Sequence, residues 1–425
     1  MREIAQSRPP VGKSNTHPET QGYPSSSCAG PDGIIVINCG SSSLKFAVFP
    51  VDGAGVLLKG LAERLGSPEA ELRIEQNDVT STILIPAASH HHALQVAVAR
   101  MTGFNPRGIG HRVVHGGEEF TRSVIIDEDV IQAVERCSSL APLHNPANLV
   151  GIRTALDLFP SLQQVAVFDT AFHQTLPPKA FLYAIPHRCY EELKVRRYGF
   201  HGTSHHYVAL EAARLLGQAL DETSLITMHL GNGCSACAVR NGRSVDSTMG
   251  LTPGEGLVMG TRSGDVDPAL HQFLQDQSGM SLFDITSMLN SQSGLLGMSG
   301  LSNDMRTLAD AARAGHQRAR LAIEVFCYRL AKSVSGLMTA LDSIDALVFT
   351  GGIGENSAEI RAMTVKQLKI LGVVLDADRN EGHGRFDHGL ISSASSRIPC
   401  MVVATNEELM IAHETRRLIL EPALS

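Results

Sequence analysis

From residue 33 onward the chain reads as short apolar runs separated by stretches of helical periodicity. GIIVIN (33–38) leads into KFAVFPVDGAGVLLKGLAERL (45–65), where apolar segments punctuated by Asp-Gly predict antiparallel strands. QVAVFD (164–169), SLITMHL (224–230), DALVFTG (345–351) and CMVVAT (400–405) read as buried strands. Helical spacing fills the gaps, most clearly in YVALEAARLLGQAL (207–220), QRARLAIEVFCYRLAKSVSGLMTAL (317–341) and EELMIAHETRRLIL (407–420). Strands alternating with helices predict α/β layers. Residues 1–32, rich in Pro, Ser and polar residues and without an apolar face, are expected to form a disordered tail.

One pattern occurs twice. VINCGSSSLKFAVF (36–49) and HLGNGCSACAVRNGRSV (229–245) both run from an apolar strand through an Asn/Gly turn and a serine into a second alternating strand. The echo suggests two related domains facing each other, although Gly-rich turns also recur by chance.

Composition narrows the classes. The 425 residues, 43% hydrophobic and 19% charged, suit a globular protein of two or three domains. A formal charge of −7 disfavours sequence-independent nucleic-acid binding, which needs a basic surface, so an anionic ligand must be held by local groups. No apolar stretch is long enough to span a bilayer, and the N-terminus lacks a signal-peptide apolar core. Eight scattered cysteines fit a reduced intracellular compartment better than a disulfide framework. Cys234-Ser-Ala-Cys237 has no second ligand pair nearby, and the two thiols are expected as small buried strand residues rather than metal ligands.

Several stretches carry candidate chemistry. A strand that empties into Gly40-Ser41-Ser42-Ser43, followed by Lys45, presents N–H groups and hydroxyls suited to phosphate oxygens; a hairpin turn whose serines bond the local backbone reads equally well. In GHRVVHGGEEF (110–120), Arg112 beside Val113-Val114 suits a small carboxylate with a short hydrocarbon tail, which the guanidinium fork would hold by both oxygens; a surface ion pair is the alternative. His144 opens the turn-like APLHNPANLVGI, and Asp169 ends a buried-looking strand where α/β sheets place ligands. In YGFHGTSHHYV (198–208), Ser204 can cap the following helix, and His205 and His206 are expected on its surface, which leaves His201 as the candidate. Arg262 lies in the long loop 247–270, VFTGGIGENSAEIR (348–361) would let a nucleotide approach the backbone, and Asn406 with Glu407 and Glu408 opens the last helix. Glycine loops, isolated arginines and strand-end carboxylates fit phosphoryl transfer. There is no G-x-G-x-x-G in the first strand-turn-helix and no G-x-S-x-G elbow.

In their order and spacing, NCGSSSLK, HRVVHGG, PLHNPANL, VFDTAFH, YGFHGTSHHYV, HLGNG, GTRSGDVDP, GLSNDMR, FTGGIGENS and TNEELMIA resemble the acetate kinase family of short-chain acyl kinases, from about residue 33 to the C-terminus. The resemblance implies an α/β fold of two actin-like (ribonuclease H-like) domains with mixed sheets flanked by helices, 33–180 and 181–425, with a nucleotide cleft between them. A C-terminal helix would pack back on the first domain. It also implies ATP/ADP as co-substrate, Mg²⁺ with Mn²⁺ as substitute, acetate or acetyl phosphate as substrate, a homodimer and a cytoplasmic location.

Carried onto matching positions, the resemblance makes Arg112, Asp169, His201 and Arg262 catalytic, with His201 and Arg262 stabilising the transition state. Arg112, Val114, His144 and Pro253 would bind substrate; Asn38 and Glu407 would hold the metal, with Ser41 lining the same region. Ser43, Lys45, His229, Asn232, Gly233, Asp304, Arg306, Gly352, Gly354, Glu355 and Asn356 would take the nucleotide. A protonated His201 would add positive charge to that of Arg112, Arg262, Lys45 and Mg²⁺. Gly254 departs from the family, which commonly has a larger apolar residue there, and this keeps preference for a longer acid open. The rivals are a propionate kinase and a non-catalytic actin-like nucleotide-binding protein; the second would not need HRVVHGG or two arginines beside an apolar pocket.

Overall fold

A computed structural model describes residues 30–421 except 53, 54 and 143. Two sheets organise them. The first contains β1 (Asp32–Cys39), β2 (Leu44–Pro50), β3 (Leu58–Glu63), β4 (Glu71–Gln76), β5 (Val79–Leu84), β6 (Asn105–Val113), β7 (Val124–Ile125) and β8 (Gln164–Phe168), in the order β5-β4-β3-β2-β1-β6-β8-β7. The second contains β9 (Ser224–Leu230), β10 (Cys234–Arg240), β11 (Arg243–Ser247), β12 (Ala346–Thr350) and β13 (Cys400–Val402), in the order β11-β10-β9-β12-β13.

The repeated hairpin is a repeat of topology. β1 pairs antiparallel with β2 and parallel with β6, which pairs parallel with β8. β9 does the same with β10, β12 and β13. Each sheet therefore contains three antiparallel strands, β3-β2-β1 or β11-β10-β9, followed by two parallel ones, the two halves of an actin-like α/β fold; the first sheet adds antiparallel β4 and β5 at one edge and β7 at the other.

Side-chain alternation explains why the central strands are apolar on both faces. On β1, Ile35 and Ile37 pack with Phe46, Ala93 and Leu94, while Ile34 and Val36 pack with Ile411 and Ala412 of the C-terminal helix Glu407–Leu420. That helix belongs to the second half by sequence but lies on the first sheet, and glycines make room for it. A Cβ at Gly110 would stand 2.3 Å from Thr415 Oγ1, and one at Gly108 would stand 2.4 Å from Ile419 Cδ1.

The structure also corrects some expectations. The Pro31 carbonyl accepts the Asn105 N–H and Asp32 opens β1, so these two residues do not belong to the tail expected over 1–32; residues 1–29 lie outside the described residues. The helix read over 207–220 spans Gly202–Leu216 and ends at Gly217 in the left-handed region, a common helix terminator. Cys234 and Cys237 are odd-spaced on β10 and face opposite sides of the sheet, and burial pushes both thiols up to about 12.

Because Gly110 sets the approach of the helix that carries Glu407, Gly110→Val should lift that helix and destabilise the fold by about 1–3 kcal/mol, as overpacking does. Urea denaturation checks this, and an unchanged midpoint would contradict the packing role.

Candidate active site

Parallel pairing of β6 with β8 sets Arg112 opposite Val167, one residue short of the strand end from which Asp169 projects. Arg112 Nε and Nη2 both donate to Asp169 Oδ2, at 3.0 and 2.6 Å. Asp169 Oδ1 accepts the Thr203 hydroxyl at 3.0 Å, and its backbone carbonyl accepts the Gly202 N–H at 2.9 Å. The side-on edge of the Arg112 fork is thus filled by Asp169. The end-on edge, Nη1 and the second proton of Nη2, is left for another acceptor, so the ion pair kept as the alternative is present without using the whole fork. Burial pulls the Arg112 guanidinium down, but Asp169 and Glu407 outweigh it and hold the pKa above its usual value.

The strand end is braced by two asparagines that the sequence reading passed over. Asn148, on the helix Asn145–Leu158, accepts the Val114 N–H at 3.0 Å and donates to the Cys39 carbonyl at 2.8 Å. Asn145 accepts the His115 N–H and donates to the His115 carbonyl. One helix start thereby ties the end of β6 to the Gly40–Ser43 turn, which is closed by a Gly40 N–H to Ser43 carbonyl bond of 2.8 Å. His144 opens this helix without a side-chain capping bond. Burial, then Arg262 and Arg112, lowers its pKa, which places the imidazole in the field of both arginines.

From the second half come His201, His229, Gly233 and Arg262. His201 takes φ +55°, a left-handed conformation uncommon outside glycine, directly before the helix Gly202–Leu216. Gly202 permits the turn, because a Cβ there would lie 2.2 Å from the Asp169 carbonyl. The His201 and His229 rings are 4.3 Å apart, and a Cβ at Gly233 would meet His201 Nε2 at 3.4 Å and Arg262 Nη1 at 3.5 Å. Arg262 Nη1 also donates to the Pro253 carbonyl at 3.2 Å. Val114 packs in the apolar cluster that holds Phe200, Met249 and Leu257.

Burial, then His229, His205, Arg112 and Arg262, drives His201 well below its usual pKa. The protonated His201 expected from sequence is therefore corrected to a neutral ring. His205 was expected on the helix surface; it is fully buried, with Nδ1 2.7 Å from Thr227 Oγ1 and Nε2 2.8 Å from Ser235 Oγ. The i, i+4 spacing from His201 was the available signal. Ser204 does not cap its helix; its hydroxyl contacts His229 Nδ1 and Thr405 Oγ1.

A cavity of about 900 Å³ beside this centre is lined by Asn232, Asp304, Arg306, Gly352 and Asn356, five of the residues expected on the nucleotide side. Asp304 caps its helix and is held down to about 2 by its hydrogen bond to Arg306. Gly354 and Glu355 do not line this cavity: Gly354 is buried, and Glu355 Oε1 accepts the N–H groups of Gly351 and Thr405. Lys45 is exposed on β2 opposite Asn38, and its charge acts on Glu408. Ser41 is exposed and Ser43 half-buried in the turn between those strands. Glu407 Oε1 stands 4.0 Å from His229 Nδ1.

A family model described as the acetokinase family matches residues 33–413. The chain belongs to that family. Acetate kinase of Deinococcus deserti is 54% identical over 390 residues, 91% of this chain and 97% of that protein. Among solved structures, a propionate kinase from Francisella tularensis superposes with a TM-score of 0.87 at 45% identity, covering 91% of this chain and 99% of that one. Acetate kinase of Porphyromonas gingivalis superposes with a TM-score of 0.86 at 41% identity, covering 92% and 100%. Both are similar to the chain over nearly its whole described length.

The buried histidines give this acetokinase-family site an acid liability. His111, His115 and His173 are lowered to about 4 by burial, and His201 and His205 are pushed well below the usual 6.5. Between about pH 6.5 and 4 the unfolded chain holds more protons than the folded one, so this stability is present above that window and is lost as pH falls through it. The urea midpoint should drop between pH 7 and pH 5; a constant midpoint would contradict the buried neutral rings.

Proposed function

We propose that this protein is an acetate kinase that transfers the γ-phosphoryl group of ATP directly to acetate, reversibly, giving acetyl phosphate and ADP. The observation that carries the reading is the convergence of Arg112, Asp169, His201 and Arg262 beside the apolar Val114 cluster and a nucleotide-sized cavity. A small carboxylate is ionised at neutral pH and needs no general base. The obstacle is repulsion between that anion and the phosphate, so the site must supply fixed positive charge and hydrogen-bond donors.

Arg112 takes the carboxylate through its end-on edge, Val114 bounds the short hydrocarbon tail, and Arg262 with the His201 N–H faces the transferring group. Pro253, through its carbonyl, holds Arg262 in place. Both Asp169 oxygens are engaged, which supports direct transfer over a phosphorylated aspartate. His229, Asn232 and Gly233 lead from this centre toward the cavity where Asp304, Arg306, Gly352 and Asn356 would receive the nucleoside. Ser43 and Lys45 approach the phosphates from the other hairpin, and Gly354 and Glu355 shape the short helix Gly351–Asn356, whose start Glu355 ties to Thr405.

Magnesium bound with the nucleotide would supply charge neutralisation at the phosphate oxygens. Among the described residues no group of three His, Cys, Asp or Glu is placed to cage an ion. Asn38 and Glu407 instead fit an ion that keeps water and phosphate ligands, the usual habit of Mg²⁺. A homodimer and a cytoplasmic location belong to the same reading. The second is supported by free cysteines among the described residues and by the lack there of a helix long and apolar enough to cross a membrane.

A coupled assay of ATP-dependent acyl-phosphate formation with acetate, propionate and butyrate tests the reading; no turnover of any of the three would end it. Acetate should be preferred, since one methylene is worth about 1–3 kcal/mol in such a pocket. Val114→Ala should raise the propionate-to-acetate ratio of kcat/KM by about tenfold, and an unchanged ratio would remove Val114 from the pocket.

Arg262→Ala should lower kcat by about 10²–10³ with little change in the acetate KM. Arg112→Lys, which keeps the charge but loses the planar edge, should mainly raise that KM. Wild-type kinetics in both variants would refute the assigned roles.

A further inference from the structure

Three buried polar side chains and the half-buried His201 form a continuous hydrogen-bonded file that ends in the site. Thr227 Oγ1 is 2.7 Å from His205 Nδ1, His205 Nε2 is 2.8 Å from Ser235 Oγ, and Ser235 Oγ is 2.9 Å from His201 Nδ1. Thr227, His205 and Ser235 are each 0% exposed. The far nitrogen of His201, Nε2, is the one that faces Gly233 and Arg262.

With both rings neutral, two proton arrangements run continuously along this file; a third, in which Ser235 accepts from both rings, would leave the Ser235 proton without a partner among the described residues. In one, Thr227 donates to His205 Nδ1, His205 Nε2–H donates to Ser235, and Ser235 donates to His201 Nδ1, so that His201 carries its proton on Nε2. In the other every bond is reversed, and His201 shows the site a bare Nε2 lone pair.

The threonine decides between them. His205 is the partner of its hydroxyl among the described residues. The reversed arrangement would make Thr227 an acceptor and strand its proton in a dry strand interior, whereas the first arrangement uses every donor.

We propose that His205 and Ser235 are positioning residues which, with Thr227, fix His201 as the Nε2–H tautomer, so that it meets the transferring phosphoryl group as a hydrogen-bond donor. The use of that donor rests on the phosphoryl-transfer reading; the tautomer itself does not. A lone pair aimed at phosphate oxygens would repel them, so loss of the file should act on the transfer step more than on ground-state binding.

Two measurements test this. In ¹⁵N-histidine-labelled full-length protein, long-range ¹H–¹⁵N correlation should show His201 Nδ1 unprotonated and Nε2 protonated, the signal being identified by its loss in His201→Gln. A His201 ring protonated on Nδ1 overturns the proposal, whatever the activity. Conversely, the Nε2–H tautomer in a protein without acyl kinase activity would support the file and sink the functional reading. In kinetics, Ser235→Ala and Thr227→Val should lower kcat by about tenfold to a hundredfold, with the KM for acetate and ATP within about twofold. Ser235→Thr and Thr227→Ser, which restore a hydroxyl, should recover most of the rate. Wild-type kcat in Ser235→Ala overturns the proposal. If the alanine and valine variants fail to fold, the wild-type tautomer measurement still decides it.

Discussion

The carboxylate of Asp169 is where the two halves of the molecule are tied together at the site. Its Oδ2 holds Arg112 from the first sheet, and its Oδ1 holds Thr203 from the helix that starts the second half. Asp169 is almost fully buried, so removing either partner would leave a desolvated charge unsatisfied. The same residue's carbonyl receives the Gly202 N–H, which fixes the turn that throws His201 into the left-handed region. One acidic group thus sets both Arg112 and the turn that carries His201. The strain at His201 persists because the surrounding bonds over-determine it.

That arrangement forces a division of labour among the cations. His144, His201 and His229 are all lowered first by burial, with Arg112 among the further causes in each, and all are pushed toward the neutral form. A site that must neutralise two anions therefore cannot draw charge from its histidines. The guanidinium groups stay protonated, and the neutral rings offer N–H and lone-pair dipoles instead of charge. Hydroxyls fix the neighbouring rings as well: Ser204 meets His229, and Ser244 meets His173, whose other nitrogen meets the Phe200 carbonyl. The cost is the acid sensitivity that comes with burying neutral imidazoles.

What could be read from the chain depended on whether the determinant was local. Strand runs, the hairpin echo and the last helix, found at Glu407–Leu420 as expected, follow from periodicity and turn residues within a few positions. The braces did not show, because their partners are remote. Asn148 reaches Cys39 across 109 residues and Asn145 reaches His115 across 30, and nothing near either asparagine distinguishes it from a helix-start residue. His205 failed differently. Adjacent histidines suggested a wet helix surface, yet the i, i+4 step from His201 already placed both on one face, and that face is buried. For Arg112 the residue was legible but its geometry was not, since Asp169 lies 57 positions away and fills the edge that looked free.

The duplication also explains why the polar groups meet between the halves. In β1 and β9 the penultimate residue pairs across the hairpin with a polar partner: Asn38 with Lys45, His229 with Ser235. The final residues pair as Cys39 with Leu44 and Leu230 with Cys234, apolar in both and buried. Equivalent positions of two related hairpins thus carry the same division into polar and apolar registers, and a slip of one residue in either would turn its polar pair to the opposite face of the sheet. The turns differ where their tasks differ. Gly40-Ser41-Ser42-Ser43 spans a wider loop with exposed hydroxyls, whereas Gly231-Asn232-Gly233 closes tightly, with the Gly231 N–H on the Gly233 carbonyl, and leaves no side chain between His201 and Arg262. Small residues thus fill the second turn and hydroxyls the first.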